Sequence, residues 1–230
     1  MKEKLRLWHI SDTHGYARLL TVPENIDIVV HSGDFSNYYD VYKNEPEAKD
    51  FIQWFGNLDI EYKVLICGNH DALGYHWNKE FRNLCTAFGI IYLENEECYI
   101  EGRKFWGSPN TPNFGNWYFM KGRDKMDKHW SHVPDDIDVF VSHGPCKTIL
   151  DLSLDRDNKL EFCGDKSLYN HVVNRIKPKL FLHGHIHNHK DINNQGTFQL
   201  PNHPTIFSNG SVVADGKFGI LSSQGNIFEI

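Results

Sequence analysis

Apolar runs of strand length alternate with segments of helical periodicity over the first part of the chain. The pattern predicts strands over residues 4–10, 26–31 and 62–67, and helices over residues 46–55 and 76–88. In the first helix Phe51, Ile52 and Phe55 fall on one face, and the second helix repeats large apolar residues at helical spacing. Strands that alternate with helices in this way are typical of an α/β sheet.

The pattern changes after the second helix, where short strands follow one another with brief turns. Strands are predicted over residues 90–93, 98–101, 104–106, 138–141, 179–182, 205–207, 218–221 and 227–230, and helices over residues 127–132 and 166–176. Residues 108–116, rich in Asn, Pro and Gly, read as a loop. The first three strands of this set indicate antiparallel pairing. The additional strands require a second sheet, which gives a sandwich with helices outside, and the absence of a linker favours one domain over residues 1–230.

Composition narrows the class of protein. The 230 residues are 40% hydrophobic and 13% aromatic, which suffices for a sizeable core. The net charge of −6, without a Lys- or Arg-rich run, disfavours long nucleic acid as a partner. No stretch approaches the roughly 20 apolar residues that cross a bilayer, so we expect no membrane association. The chain start offers no apolar signal segment, and five scattered cysteines without CxxC spacing fit reduced thiols, so we expect a cytoplasmic protein.

Candidate metal ligands follow the predicted strands. They fall in five short clusters, Asp12-Thr13-His14-Gly15, Gly33-Asp34, Gly68-Asn69-His70-Asp71, Ser142-His143-Gly144 and Gly184-His185-Ile186-His187. A lone Asp34 would be read as a turn former or helix cap, but five such clusters at strand ends would place their side chains on rigid elements beside one another. Asp, His and Asn without Cys suit a two-metal hydrolytic centre rather than a structural zinc site.

The order of these clusters, Asp-x-His, Gly-Asp, Gly-Asn-His-Asp, His-Gly and Gly-His-x-His, resembles that of the calcineurin-like metallophosphoesterase superfamily over residues 9–187. The resemblance implies a calcineurin-like four-layer α/β/β/α sandwich, in which two mixed β-sheets are flanked by helices. Further segments resemble the metallophosphoesterase-domain-containing brain proteins of animals, a group close to the class III cyclic-nucleotide phosphodiesterases. Those segments are residues 31–35, 107–109, 142–145 and 207–211.

Two positions depart from the pattern of these relatives. Asp71 stands where many of them have Glu, and this change should not affect metal binding. Asp71 is also a candidate to orient His70, although adjacency in sequence does not establish a hydrogen bond. Cys146 stands where the animal proteins have a second Pro, and its effect on the pocket wall and on specificity is left open by the sequence.

The resemblance also implies which residues hold two divalent metal ions. One ion would be held by Asp12, His14, Asp34 and His187, and the other by Asp34, Asn69, His143 and His185. Asp34 would bridge them, since a carboxylate can offer one oxygen to each cation whereas an imidazole cannot. Such N/O ligation admits Mn, Fe, Zn or Co, with Mn the first choice, and cellular availability usually decides.

His70 lies outside the ligand set, and the family pattern makes it the catalytic histidine beside Asp34. The implied nucleophile is a hydroxide that bridges the metals, while His70 stabilises charge and protonates the departing alkoxide. Asn110 and His189 are candidates for substrate binding. Asn110, with Phe114 and Trp117, would contact a base, and His189 closely follows His187. Packing of an exposed loop explains these last residues equally well.

The sequence therefore predicts a metal-dependent phosphodiesterase acting on a small phosphodiester such as a cyclic nucleotide. A phosphomonoesterase with the same metals, acting on proteins or nucleotides, is the nearest alternative. A non-catalytic scaffold on the same fold is disfavoured by the complete ligand set. The expected partner is a small phosphorylated substrate, and the oligomeric state is open.

Overall fold

Two mixed β-sheets lie face to face at the centre of the computed structural model, which describes residues 3–189, 191–214 and 220–230. In chain order the strands are β1 (Arg6–Ile10), β2 (Ile28–His31), β3 (Tyr62–Leu65), β4 (Ile90–Tyr92), β5 (Glu96–Ile100), β6 (Arg103–Ser108), β7 (Thr111–Pro112), β8 (Met120–Lys121), β9 (Val139–Ser142), β10 (Leu152–Leu154), β11 (Leu160–Phe162), β12 (Leu180–His183), β13 (Gly196–Gln199), β14 (Ile206–Asn209) and β15 (Asn226–Glu229). The helices are α1 (Val41–Gly56), α2 (Ala72–His76), α3 (Asn78–Ala87), α4 (Arg123–Trp130) and α5 (Lys166–Asn170). A 3₁₀ turn covers Ala17–Leu19, and a π-helical segment, His171–Ile176, continues α5.

Within the described ranges, the first sheet has the order β15-β1-β2-β3-β4 and the second the order β13-β14-β12-β9-β6-β5. Their central strands run parallel, and antiparallel strands lie at the edges: β15 beside β1, β13 beside β14 and β5 beside β6. Parallel central strands end at the same edge of each sheet, which is where the candidate ligands follow them.

Alternating side chains build the layers. The inner faces of both sheets share one core, in which Leu7 and Val30 of the first sheet are clustered with Val141 and Leu182 of the second. The opposite face of the first sheet packs against α1, α2 and α3, and that of the second against α4 and the 166–176 helix. The predicted four-layer α/β/β/α arrangement is therefore confirmed.

Several element boundaries differ from the sequence predictions. The first helix begins at Val41, before Pro46, because the Asp40 carboxylate accepts hydrogen bonds from the amides of Tyr42 and Lys43. The predicted helix over residues 76–88 is wrong at its start, since Trp77 has non-helical angles (φ −121°, ψ 52°) and separates α2 from α3. Trp77 instead packs on the core under these helices, a tertiary contact that local periodicity does not report.

Other differences concern the strands. The prediction of antiparallel pairing is confirmed for β5 and β6. It is wrong for β4, which pairs with β3 in parallel orientation. The predicted loop over residues 108–116 contains β7, which pairs with β8. The hairpin β10–β11 and β13 were not predicted. The strands β10 and β11 do alternate apolar and polar residues, but each covers only three residues, and β13 is mostly exposed. The predicted strand over residues 218–221 begins outside the described residues. Among the helices that are described, none is both long and apolar enough to traverse a membrane.

Candidate metal centre

The seven predicted metal ligands meet where the two sheets end. Strands β1, β2 and β3 are followed by Asp12 and His14, by Asp34 and by Asn69, whereas β9 and β12 of the other sheet are followed by His143 and by His185 and His187. Their side chains come into mutual contact across the seam between the sheets. Each ligand is therefore carried by a short loop directly after a buried strand.

These loops hold four of the ligands in the left-handed backbone region. The φ angles are 53° at Asp12, 42° at His14, 57° at Asp34 and 70° at His185. Residues other than glycine seldom adopt this conformation, and it is concentrated at functional sites where surrounding contacts impose it. Here the Asp12 amide donates to the Gly33 carbonyl and the His14 amide to the Asp34 carbonyl, at 2.9 and 3.1 Å, so the first two loops fix each other.

One group of donors consists of Asp12, His14 and His187. The His14 Nε2 and the His187 Nε2 lie 3.3 Å apart, and the His187 Nε2 is 3.2 Å from an Asp12 carboxylate oxygen. The other ring nitrogen of His14, Nδ1, lies 3.2 Å from the Ser36 carbonyl oxygen. That contact places a proton on Nδ1 and leaves the Nε2 lone pair directed at the group.

A second group consists of Asp34, His143 and His185, with Asn69 beside them. The His143 Nε2 is 3.0 Å from the Asn69 amide oxygen and 3.3 Å from an Asp34 carboxylate oxygen. Its Nδ1 lies 2.8 Å from the Ser32 carbonyl, which orients the ring in the same manner as in His14. The amide of His185 donates to the Asp12 carboxylate, at 2.9 Å from its nearer oxygen, so the two groups adjoin.

Asp34 lies between the groups. One of its carboxylate oxygens accepts a hydrogen bond from the His70 amide at 2.7 Å, and the other faces His143. Asp34 also forms a cluster of possible ligand atoms with His14 and His70. Asp34 is 2% exposed and lies beside His14 of the first group and His143 of the second, which is the position that a bridging carboxylate requires.

Burial and neighbouring charges shift the pKa values of the candidate ligands in different directions. Burial lowers the pKa of His14 to about 4 and that of His185 to about 3. Burial acts the same way on His143, but the adjacent Asp34 charge outweighs it and raises the pKa of His143 to about 9. Against burial, His143 holds the pKa of Asp34 well below its ordinary value, and a hydrogen bond from His187 does the same for Asp12.

The donor set fits two divalent cations. It offers imidazole nitrogens, carboxylate oxygens and one neutral amide oxygen, all suited to borderline metals such as Mn²⁺, Fe²⁺ or Zn²⁺. The Nδ1 atoms of His14 and His143 are tied to backbone carbonyls, so each ring offers Nε2 to the centre. One ion would be held by Asp12, His14, Asp34 and His187, and the other by Asp34, Asn69, His143 and His185.

Asp71 stabilises the loops that carry the metal ligands, and its carboxylate does not contact the ring of His70. Its carboxylate accepts hydrogen bonds from the amides of Asp34 (2.8 Å), Gly68 (2.7 Å) and Ser36 (3.1 Å), and from the Ser36 hydroxyl (2.7 Å). Burial and the nearby Asp34 charge raise the pKa of Asp71 to about 8, while the hydrogen bonds from Gly68 and Ser36 act in the opposite direction. Asp71 therefore joins the loops that carry Asp34 and Asn69.

His70 borders the centre on its open side. Its Nδ1 lies 3.1 Å from the Asn37 carbonyl oxygen, and its ring contacts those of Trp117 and His14, with centroids 4.2 and 4.8 Å away. A proton on Nδ1 is fixed by that carbonyl, which leaves Nε2 to hold or release a second proton.

A cleft of about 800 Å³ opens from the centre, and Asp34, Asn69, His70, His185 and His187 line its floor. Phe114 and Trp117, which were predicted to contact a base, line it as well. Asn110 and His189 are not among its lining residues: Asn110 is 5% exposed and donates to the Phe119 carbonyl, and His189 pairs with Ile192. Their role in substrate binding stays a prediction.

Other parts of the wall carry residues that the sequence did not indicate. Arg123, Lys147, Arg156 and Phe162 line the cleft, and they come from α4, from the segment after β9 and from the β10–β11 hairpin. No motif marks them, because they meet only through tertiary packing. Cys146 is fully buried in the outer core instead, while its neighbours Pro145 and Lys147 face the cleft.

Two facing sheets with a cluster of Asp, Asn and His ligands at their shared edge define a metal-dependent phosphoesterase fold and site. The chain belongs to the calcineurin-like phosphoesterase family, whose profile matches residues 5–189, and this range holds all seven predicted ligands. This match confirms the family that the order of motifs indicated.

Curated relatives agree with the narrower resemblance. The chain is similar to metallophosphoesterase domain-containing protein 1 from Homo sapiens, with 29% identity over 231 residues that cover 88% of this chain and 64% of that protein. It is similar to UPF0046 protein C25E10.12 from Caenorhabditis elegans, with 29% identity covering 85% and 73%. The chain thus spans less than two thirds of the human relative. A solved crystal structure with 16% identity, a TM-score of 0.66 and coverage of 99% and 98% shares the fold.

Proposed function

We propose that this protein is a phosphodiesterase that hydrolyses a small phosphodiester, such as a cyclic nucleotide. The observation that carries the proposal is the convergence of seven candidate ligands on one point. Four of them, Asp34, Asn69, His185 and His187, line the floor of one cleft together with His70. The cleft supports a diester rather than a monoester, because its volume of about 800 Å³ extends past the centre and leaves room for substituents on both sides of a phosphate.

When bound, two divalent cations at such a centre lower the pKa of a water and neutralise phosphate charge. The chain's own residues do the rest. Asp34 and Asn69 present oxygens at the floor of the cleft, so a phosphate there lies beside His70. The Nδ1–H of His70 is held by the Asn37 carbonyl, and a proton on Nε2 can pass to the leaving alkoxide oxygen as the P–O bond breaks.

The metal and the compartment belong to the same proposal. Mn²⁺ is the metal we propose, since the mixed carboxylate, amide and imidazole set suits it and contains no thiolate. The five cysteines are free, three of them buried, which supports a reducing compartment such as the cytoplasm.

The test begins with metal-stripped protein that is reloaded with Mn²⁺. Hydrolysis of bis-p-nitrophenyl phosphate is compared with that of p-nitrophenyl phosphate. We expect metal-dependent turnover with preference for the diester. Preference for the monoester would instead identify a phosphomonoesterase on the same site. No turnover with Mn²⁺, Fe²⁺, Zn²⁺ or Co²⁺ on either compound would favour a non-catalytic scaffold.

Variants separate the site from contaminants. Asp34→Asn should lower both bound metal and kcat, whereas His70→Gln should keep bound metal and lower kcat by about a hundredfold or more. His132→Asn, at an exposed position outside the cleft, is the matched control and should keep both. Full activity in the first two variants would refute the assignment of the site.

A further inference from the structure

We propose that the cleft contains a second anion-binding subsite, formed by Arg123, Lys147 and Arg156, and that the substrate is a phosphodiester carrying a second phosphate group. This inference rests on the proposed function for the scissile phosphate but adds a separate element of recognition. The three cations line the same cleft as the candidate metal centre.

The cations come together through segment 163–165. The Arg123 guanidinium lies 3.5 Å from the Cys163 carbonyl oxygen, and the Lys147 amide donates to the Asp165 carbonyl at 3.1 Å. The Asp165 amide in turn donates to the Pro145 carbonyl at 3.0 Å. Backbone pairing therefore holds the Lys147 segment beside Asp165, and the Arg123 side chain reaches the same segment at Cys163.

Arg156 reaches the cleft from the turn of the β10–β11 hairpin. The Asp155 carboxylate stabilises that turn by accepting hydrogen bonds from the amides of Asp157 and Lys159, both at 2.8 Å. The Asp155 carboxylate forms no ion pair with Arg156 among the described residues. The hairpin thus presents a cation to the cleft on a defined turn.

The charge of this wall differs from that of the chain as a whole. Apart from Asp34, the carboxylates that line the cleft are Asp155 and Glu161, against three cations. In the part of the chain that the structure describes, none of the three cations has an ion pair with a carboxylate, whereas Arg18, Arg82 and Arg175 elsewhere do. On a chain of net charge −6, three cations against two carboxylates on this wall favour an anionic ligand.

Apolar side chains lie in the same cleft as the two anion sites. Phe114 is 53% exposed, with its ring centroid 5.1 Å from that of His185, and Phe162 on the hairpin is 44% exposed. Exposed aromatic rings beside cations suit a ligand with a flat or apolar unit between two phosphates. A phosphorylated nucleoside diester has this chemistry.

The test uses two chromogenic diesters that differ in one group, thymidine 5′-(p-nitrophenyl phosphate) with and without a 3′-phosphate. On the Mn²⁺-loaded protein we expect kcat/KM to be about tenfold higher for the 3′-phosphorylated compound, the effect of one or two charge-assisted hydrogen bonds. In the double variant Lys147→Gln/Arg156→Gln, the ratio of the two kcat/KM values should fall close to one, because KM for the 3′-phosphorylated compound rises. Lys159→Gln removes a charge from the same hairpin turn outside the cleft lining, and should retain the preference.

Equilibrium binding of thymidine 3′,5′-bisphosphate and thymidine 5′-phosphate, measured by calorimetry, makes the result independent of turnover. If the bisphosphate binds more tightly than the monophosphate, and the double variant removes this difference, the result supports the subsite. This holds even if no diester is hydrolysed and the proposed function fails. Turnover of bis-p-nitrophenyl phosphate with no preference for the 3′-phosphate in either assay would overturn the subsite and leave the proposed function standing. If Lys159→Gln lost the preference for the 3′-phosphate as fully as the double variant does, the subsite would also be overturned. The preference would then come from the general positive charge of the hairpin and not from a defined site.

Discussion

The ring of His70 lies against the indole of Trp117, with centroids 4.2 Å apart and planes inclined by 32°. Tyr39 also contacts Trp117, with the two rings edge-on and their centroids 5.7 Å apart. The Tyr39 hydroxyl accepts a hydrogen bond from the side chain of Asn116, the residue before Trp117. With Nδ1 held by the Asn37 carbonyl, the His70 ring is fixed both in its plane and along one edge. Trp117 is therefore a positioning residue for the proposed general acid.

Replacing this indole should reduce turnover without removing metal. Trp117→Leu keeps an apolar side chain but loses the stacked ring, so we expect kcat to fall about tenfold, because misorientation of an acid affects the transition state. Trp117→Phe retains a ring and should restore most of the rate. The measurements are kcat, KM and bound Mn²⁺ for both variants. A parallel loss of metal would show that Trp117 supports the centre as a whole instead.

Asp71 gives a prediction about stability. Each of its carboxylate oxygens accepts two hydrogen bonds, so in Asp71→Asn the side-chain NH₂ must face donors whichever way the amide is turned. Unsatisfied buried donors of this kind cost about 2–3 kcal/mol in unfolding free energy. We also expect Mn²⁺ affinity to fall by roughly 10–100-fold, as for other residues that orient ligands.

Urea unfolding in chelator and Mn²⁺ titration measure these two effects. Ser36→Ala is the graded comparison, because it removes one hydroxyl donor and leaves the three amides bound, so its stability loss should be about 1 kcal/mol. If Asp71→Asn were as stable as the unmodified protein, the four hydrogen bonds would not be what holds the two loops together.

The ligand set could be predicted from sequence because each ligand lies within a few residues of a buried strand. Asp34, for example, directly follows Gly33 after β2, and parallel strands carry such residues to one edge. The sandwich followed likewise from alternating apolar positions, as with Val139 and Val141 on the inner face and Phe140 on the outer. Local pattern places the ligand clusters at strand ends and predicts helices outside a sandwich. The assignment of ligands to each metal and the calcineurin-like arrangement of four layers came from the family resemblance.

What could not be predicted depends on contacts between distant segments. Asp71 acts on Asp34 and Ser36 across two loops, which adjacency to His70 did not reveal. Arg123 and Arg156 reach the cleft from α4 and from the turn of the β10–β11 hairpin, two elements that β9 separates along the chain. Charged side chains at exposed positions carry no signal of where the chain will place them.

Acid should destabilise the protein, partly through His129. Burial, with some repulsion from Lys121, lowers the pKa of His129 to about 4, whereas an unfolded histidine titrates near 6.5. Between these values the unfolded chain binds more protons than the folded one, so the unfolding free energy falls as pH drops below about 6.5. In metal-free protein, His129→Gln should make the loss between pH 7 and 5 smaller by about 1 kcal/mol. The exposed His132→Gln is the control, and an identical pH slope for both variants would contradict this role of His129.

A substitution at Gly184 tests how closely the loop after β12 approaches the loop after β1. Its φ is not in the left-handed region, so its requirement is space: a Cβ at this position would collide with the Asp12 carboxylate and the Ser11 side chain. Gly184→Ala must therefore displace Asp12, whose carboxylate also accepts the His185 amide hydrogen bond. We expect bound Mn²⁺ at the Asp12–His14–His187 group to fall and hydrolysis with it, while the unfolding transition in chelator stays cooperative. Gly115→Ala, at an exposed position where the added methyl meets Trp117 only at ordinary contact distance, is the control. Metal content in Gly184→Ala equal to that of the control would show that the loop relaxes without moving Asp12.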